Sequence, residues 1–464
     1  MSTNPLAPSW LVAPDNANAL PETVWSQNSR RGAAGEVEIA GVAATALAEE
    51  FGTPVYVVDE ADARSRARRI RESFDREFAR VGGSAKVYYA GKAFLSTEVA
   101  RWVTQEGLNI DVASGGEMAV ALAAGVDPAR LGLHGNNKSL AEIDRAVSVG
   151  VGAIVIDSVV EIERVAAAAE AHDRVQPVRL RINSGVHAST HEYLATARED
   201  QKFGIPLVDA AAAVARIRAH SSLRFLGLHS HIGSQIFESD GFAEAARRLF
   251  ALHSELLEHG DVPELNLGGG FGIAYTSVDD PLDIDEIARR FADIVSAGAA
   301  ELGIPVPVVA IEPGRSVIGP STTTLYTVGT IKDVEVDGSI RKYVSVDGGM
   351  SDNIRPSLYG ADYSARVVSR ASDAAPALVR VAGKHCESGD ILVHAEYLPA
   401  DVAPGDLLGV PATGAYGWVM ASNYNYLGRP PVVAVRDGVA RLIVRGETES
   451  DLLSRDMGAL EENR

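Results

Sequence analysis

The sequence predicts two folding classes in one chain: an α/β part closed as a (β/α)8 TIM-type barrel, and an all-β part forming a second, antiparallel β-domain. Two observations carry this. Short apolar runs recur eight times with Ala-rich helical stretches between them: "AKVYYA", "LNIDVA", "LGLHG", "AIVIDS", "VRLRIN", "FLGLHSHIG", "ELNLGGG" and "PVVAIEPG". Strands apolar on both faces that alternate with helices argue for a parallel sheet, and eight of them for a closed barrel. An open doubly wound sheet is the competing arrangement. After Ile318 the pattern changes to β-branched runs joined by Gly/Asp turns, such as "TTTLYTVGTIKDVEVDGSIRKYVSVDGGM" and "PVVAVRDGVARLIVRG", which read as antiparallel strands.

Taken in order, residues 1–33 are rich in Ala, Asn, Pro and Ser, with isolated Trp10 and Trp25. They read as an arm, ordered only where something packs on it. Residues 34–59 hold "EVEIAGV" and "VYVVD", strand-like segments expected to join the β-domain. In the basic stretch after Asp59, Ala67, Ile70, Phe74 and Phe78 recur at helical spacing. A further helix is expected where Phe242, Ala245, Leu249, Leu252 and Leu256 form one face, with Gly260 ending it. The domain expectation is a barrel over 60–318, a β-domain over 319–453 and a polar tail over 454–464.

Bulk properties narrow the function. Of 464 residues, 46% are hydrophobic and 23% charged, and the net charge is −19, which fits a globular chain and disfavours nucleic acid or anionic membrane as partners. The single cysteine, Cys386, forbids an internal disulfide. The first residues lack the order of a signal peptide, and no apolar run reaches membrane-spanning length. The expected location is the cytoplasm.

In a β/α barrel the working residues stand just past the C-terminal ends of the strands. The first run ends in "YYAGKAF", placing Lys92 there. Alone it reads as a solvated charge; held in a barrel mouth, where burial disfavours the ammonium, its neutral amine can form a Schiff base. The sixth run ends in "HSHIGSQ", with His229 and His231 on one side. These are hydrogen-bonded core histidines, metal ligands or a cofactor contact. No clear third metal ligand is evident; His187 and His191 lie in a loop-like stretch without metal-binding spacing, so no metal is expected. The seventh run ends in Gly268, Gly269 and Gly270, either a tight turn or a cradle whose N–H groups approach an anion. The eighth ends in "EPGRS", with Glu312 at the mouth and Arg315 three residues on, a salt bridge in a turn or two separate site groups. An amine, an imidazole, a glycine cradle and a carboxylate together suit pyridoxal 5'-phosphate.

The ordered set "YYAGKA", "NIDVASGGE", "STHEYLATAREDQKFGI", "GLHSHIGSQ", "LGGGFGI", "EPGRS", "DGGMSDNIRPSLYGA", "CESGD" and "GAYGWVMASNYN" resembles the diaminopimelate decarboxylase family, pyridoxal-phosphate enzymes built on an alanine-racemase-like barrel plus a β-domain. The resemblance runs from about residue 35 to about 453. It implies that Lys92 binds the cofactor's aldehyde and that His231 stacks on its ring. It gives the phosphate to Ser234, Gly268, Gly269, Gly270 and the turn Pro313, Gly314 and Arg315, and the pyridine nitrogen to Glu312. Arg315, Arg355, Tyr359 and Glu387 would contact substrate, and Tyr416 both substrate and cofactor. The implied reaction is decarboxylation of meso-2,6-diaminopimelate to L-lysine and CO2, the last step of lysine biosynthesis.

Chemistry then gives Cys386 a task. The carbon that loses CO2 must be reprotonated, and a thiol with an unperturbed pKa of roughly 8.5 suits that step; a buried apolar cysteine is the bland alternative. Glu387 would hold the amine at the far end of the substrate. The resemblance further implies that the "CESGD" loop serves a second subunit, making a C2 homodimer with composite sites the smallest active form. The alternatives are decarboxylation of another basic amino acid (ornithine, arginine, lysine or carboxynorspermidine), racemisation on the same barrel, or pyridoxal-phosphate binding without catalysis.

Overall fold

Eight parallel strands of the computed structural model close on themselves in strict sequence order: β1 Ser84–Ala90, β2 Asn109–Val112, β3 Leu131–Leu133, β4 Ala153–Ile156, β5 Gln176–Asn183, β6 Leu223–His229, β7 Glu264–Asn266 and β8 Val308–Ile311. Each pairs with its neighbour, and β8 returns to β1 through Val308↔Ser84 to Ile311↔Val87. The structure describes residues 4–185, 202–231, 233–235 and 240–460. The segment "STHEYLATARED" with His187 and His191, and the Phe242 side chain, lie outside the described residues.

The chain divides into two units: one of residues 1–63, 273–280 and 317–464, the other of residues 64–272 and 281–316. The second holds the barrel. Its strands are short and apolar because both faces are covered: Ala153–Ile156 and Leu131–Leu133 are buried throughout. Helices between them start where a short polar side chain satisfies a free N–H. Ser96 accepts from Val99 N, Ser114 from Glu117 N, and Ser139 with Glu142 forms a reciprocal capping box. Ala67, Ile70, Phe74 and Phe78 are all buried, and Phe74 meets Phe291 edge-on at 5.7 Å between ring centres. Ala245, Leu249, Leu252 and Leu256 are buried on the helix Asp240–Leu257.

The other unit is a nine-stranded sheet, mostly antiparallel but with two parallel pairings, Lys342–Ser345 with Val379–Ala382 and Val432–Val435 with Tyr56–Asp59. Val55–Asp59, buried at all five positions, lies between Thr322–Val336 and Val432–Arg436. The "EVEIAGV" segment departs from expectation. Val37–Ile39 pairs with Ser29–Arg31 and Val42–Ala43 in a separate three-stranded sheet. Its backbone reaches beyond this sheet at Val37 N, which donates to Val368 O at 2.8 Å, and at Ala40 O, which accepts from Gly438 N at 2.9 Å; the turn at Ala40–Gly41 folds the segment back on itself.

Residues 4–33 are more than an arm. Val24 and Trp25 are buried in one cluster with Ile39, Val55, Val57 and Leu325. The Arg31 guanidinium donates to the carbonyls of Asn18, Gly35 and Val367 at 2.7–2.8 Å. Truncating a buried tryptophan costs about 3–5 kcal/mol, so this stretch belongs to the core of its unit.

Candidate functional site

A cavity of about 410 Å³ opens at the C-terminal ends of the barrel strands. Lys92, Asp111, His134, Arg181, His229, His231, Ser234 and Glu312 line it. β1 ends at Ala90, and a 3-10 turn, Gly91–Ala93, carries Lys92 past the strand end. The lysine is exposed, contrary to the expectation of a buried amine, because that turn lifts it above the packed layer and points it into the open mouth. Gly91 allows the turn: a Cβ there would come within 2.8 Å of Asp111 O.

Glu312 follows β8 and is the hub. Its Oε1 lies 3.0 Å from His229 Nε2 and 3.6 Å from His134 Nε2, and accepts from Asn266 Nδ2 at 2.8 Å. Burial alone would raise its pKa; the facing histidines His229 and His134 hold it well below the ordinary carboxylate range. Asp111, at the end of β2, goes the other way: burial, then the Glu312 charge, push it well above its ordinary value. The environments of these two carboxylates in one pocket thus drive their titrations apart. Burial lowers His134 to about 4 and His231 to about 3, the latter helped by Lys92.

The glycine turn is fixed from behind. Gly268 N donates to Asn266 Oδ1 at 2.8 Å and Gly269 N to His231 Nδ1 at 3.2 Å. A Cβ on Gly269 would meet the Glu312 carbonyl at 2.0 Å, so only glycine lets this loop lie against the end of β8. Ala90 N donates to Pro313 O at 2.9 Å, tying the "EPGR" turn to β1. Arg315 Nη2 donates to Ser234 Oγ at 2.9 Å, and no Glu312–Arg315 pair forms.

The other expected residues lie in the β-unit. Arg355 is buried, its Nη1 donating to Tyr363 OH at 2.5 Å and its guanidinium 4.6 Å from the Tyr275 ring centre. Tyr359 and the turn residues Cys386 and Glu387 are exposed. The turn hangs on Asp390, whose carboxylate accepts from Met350 N at 2.6 Å and His385 N at 2.8 Å. His385 is itself held by Ser351 Oγ at 2.8 Å and Asn425 Oδ1 at 3.0 Å. Tyr416 has φ +61°, a strained value for a bulky side chain.

Sequence reasoning missed Asp111, His134, Arg181 and Asn266. All stand within two residues of a strand's C-terminal end, so a slightly wider form of the rule that picked out Lys92 would have found them. It also missed a third ligand atom: His134, His229 and Glu312 present theirs within 4.8 Å of one another.

The pocket meets the needs of pyridoxal phosphate. Lys92 offers an amine, Glu312 a carboxylate and Ser234 a hydroxyl, and the glycine turn packs against His231 and Glu312, a set of groups that fits the cofactor. Asp111 Oδ2 is buried without a hydrogen-bond partner, so a bound polar group is accommodated. The comparisons agree. A family model described as "Pyridoxal-dependent decarboxylase, pyridoxal binding domain" matches residues 61–319, which sets the class: a pyridoxal-phosphate-dependent decarboxylase. Over 447 residues the chain is 52% identical to the diaminopimelate decarboxylase of Mycobacterium tuberculosis, covering 94% of this chain and 98% of that one. It is 44% identical to that of Bacillus subtilis over 433 residues, 92% and 97% of the two chains. The solved diaminopimelate decarboxylase of M. jannaschii in complex with L-lysine superposes with a TM-score of 0.84 at 31% identity, over 94% and 98% of the chains. This chain belongs to the diaminopimelate decarboxylase family.

Proposed function

We propose that the chain decarboxylates meso-2,6-diaminopimelate to L-lysine and CO2, the last step of lysine biosynthesis. The observation that carries this reading is Lys92 and an anionic Glu312 lining one barrel-mouth cavity, in a chain related over nearly its full length to diaminopimelate decarboxylases.

When bound, pyridoxal phosphate supplies a conjugated ring that accepts the electron pair left by the departing carboxylate. Lys92 binds the aldehyde carbon. Glu312 keeps a proton on the pyridine nitrogen, and His229 and Asn266 hold Glu312 in place. His231 covers one ring face. Ser234, Arg315, Pro313, Gly314 and the Gly268–Gly270 turn bind the phosphate; Gly268 and Gly269 already spend their own N–H groups on Asn266 and His231, so their part is to let the backbone approach.

Arg315, Arg355 and Tyr359 bind the substrate's carboxylates, Glu387 its distal amine, and Tyr416 contacts both substrate and cofactor. A guanidinium matches a carboxylate in two-point geometry, so a diamine precursor lacking that carboxylate leaves it unpaired and is rejected. The Cys386 thiol delivers the proton to the α-carbon. Cys386 and Glu387 act in the site of a second copy, so the working form is a C2 homodimer with composite sites. A cytoplasmic location is part of this reading, supported by the single cysteine, which forbids an internal disulfide; among the described residues no helix is long and apolar enough to cross a membrane.

Purified protein incubated with meso-diaminopimelate and pyridoxal phosphate should release lysine and CO2 in equal amounts, and Lys92→Ala should release neither. CO2 release from ornithine or arginine but not from diaminopimelate would overturn the assignment.

A further inference from the structure

A second cavity, of about 630 Å³, lies at the opposite, N-terminal end of the barrel strands. Lys86, Arg174, Arg179 and Arg224 line it against a single carboxylate, Glu264. Arg179 is buried, with 1% of its surface exposed. Its Nε and Nη2 donate to Glu264 Oε2 at 3.0 and 2.7 Å, and Nη2 also to Tyr88 OH at 2.8 Å. Lys86 takes the other carboxylate oxygen. One carboxylate therefore serves two cations, and one positive charge is left over. The Arg179 Nη1 group is buried with no hydrogen-bond partner, although buried polar groups are normally paired.

At the rim, Arg174 and Arg224 are exposed, and neither has a carboxylate partner among the described residues. Apolar residues such as Leu226 and Pro263 complete the wall. A purely structural polar layer inside a barrel would be expected to balance its charges. This one carries surplus cations around a cavity of small-ligand size and leaves a buried donor unused behind its wall.

We infer that the N-terminal end of the barrel is a binding site for a small anion with at least two negative charges, a polycarboxylate or a phosphoryl compound. Lys86 and the Arg179–Glu264 pair form its floor, and Arg174 and Arg224 close on the outer charge, since guanidinium groups suit carboxylate and phosphoryl oxygens alike. The site is separate from the cofactor mouth and takes no part in the chemistry there.

The test uses enzyme saturated with pyridoxal phosphate, so that the cofactor's own phosphate site is closed to the probe. Calorimetric titrations with citrate and with inorganic phosphate are compared with chloride at matched ionic strength. Saturable binding of at least one probe is expected, with affinity at least tenfold lower in the Arg174→Ala/Arg224→Ala double variant and in Arg224→Glu. Both variants should retain the melting temperature in chloride and the turnover of the parent. Tighter citrate binding identifies a polycarboxylate ligand, and tighter phosphate binding a phosphoryl ligand. Absence of saturable binding by both probes, or equal binding by parent and variants, would overturn the inference.

Discussion

Asn266 Nδ2 donates to Glu312 Oε1 at 2.8 Å while Asn266 Oδ1 accepts from Gly268 N at 2.8 Å. One buried amide thus ties the carboxylate at the end of β8 to the glycine turn after β7, and two groups proposed for opposite ends of the cofactor share one support. Glu312→Gln removes the charge but keeps the shape. Turnover should fall by about 10²–10⁴-fold, with cofactor still bound as judged by its visible absorbance; unchanged turnover would count against the role given to Glu312.

Gly269→Ala places a methyl group 2.0 Å from the Glu312 carbonyl. The turn must move away from β8, and Asn266 and His231 lose their backbone partners with it. The expected result is weaker pyridoxal phosphate binding, by at least tenfold in equilibrium dialysis, with circular dichroism close to the parent's.

Cys386→Ala tests a side chain that is exposed and carries little packing. Stability should change by less than about 0.5 kcal/mol, whereas turnover should drop by about 10²-fold or more. A cysteine with only a structural role would give the reverse pattern in paired melting and activity assays.

Arg355→Ala differs because the guanidinium is packed against Tyr275 and Tyr363. Both turnover and melting temperature should fall, with cofactor affinity spared. Arg355→Lys should recover part of the stability but little turnover, since an ammonium lacks the planar fork.

Asp352 gives a pH dependence. Burial pushes its carboxyl up to about 7, against donation from Tyr326 OH and Gly349 N. Between about pH 4 and pH 7 the unfolded chain has lost this proton and the folded chain retains it, so stability decreases as pH rises through that window. Asp352→Asn should flatten this part of the melting-temperature profile; an unchanged slope would assign it to other groups.

The barrel was legible because its strands are apolar on both faces and its helices carry their own caps. Lys92 and Glu312 were legible for the same reason, since a polar residue at the end of such a run stands out. Asp111 and His134 obey that rule and were overlooked because their runs, "NIDVA" and "LGLHG", looked like ordinary strand ends. What local pattern cannot encode is pairing over distance. The burial of Trp25 depends on Val55, Leu325 and other residues far along the chain, and nothing near residue 25 announces them. Exposure is likewise a tertiary property: the short turn at Gly91–Ala93, and not the composition around it, leaves Lys92 in the open mouth.

Val55–Asp59 lies between Thr322–Val336 and Val432–Arg436 in its sheet, yet it precedes both by more than 250 residues of chain. During synthesis this strand leaves the ribosome on the order of tens of seconds before its first neighbour exists. It is short, buried at every position in the folded chain, and carries three valines and a tyrosine before Asp59, the kind of segment that pairs with whatever edge it meets. The nascent polypeptide therefore has an interval in which Val55–Asp59 must be kept from foreign strands, and fragments ending before residue 322 should be the aggregation-prone products of interrupted translation.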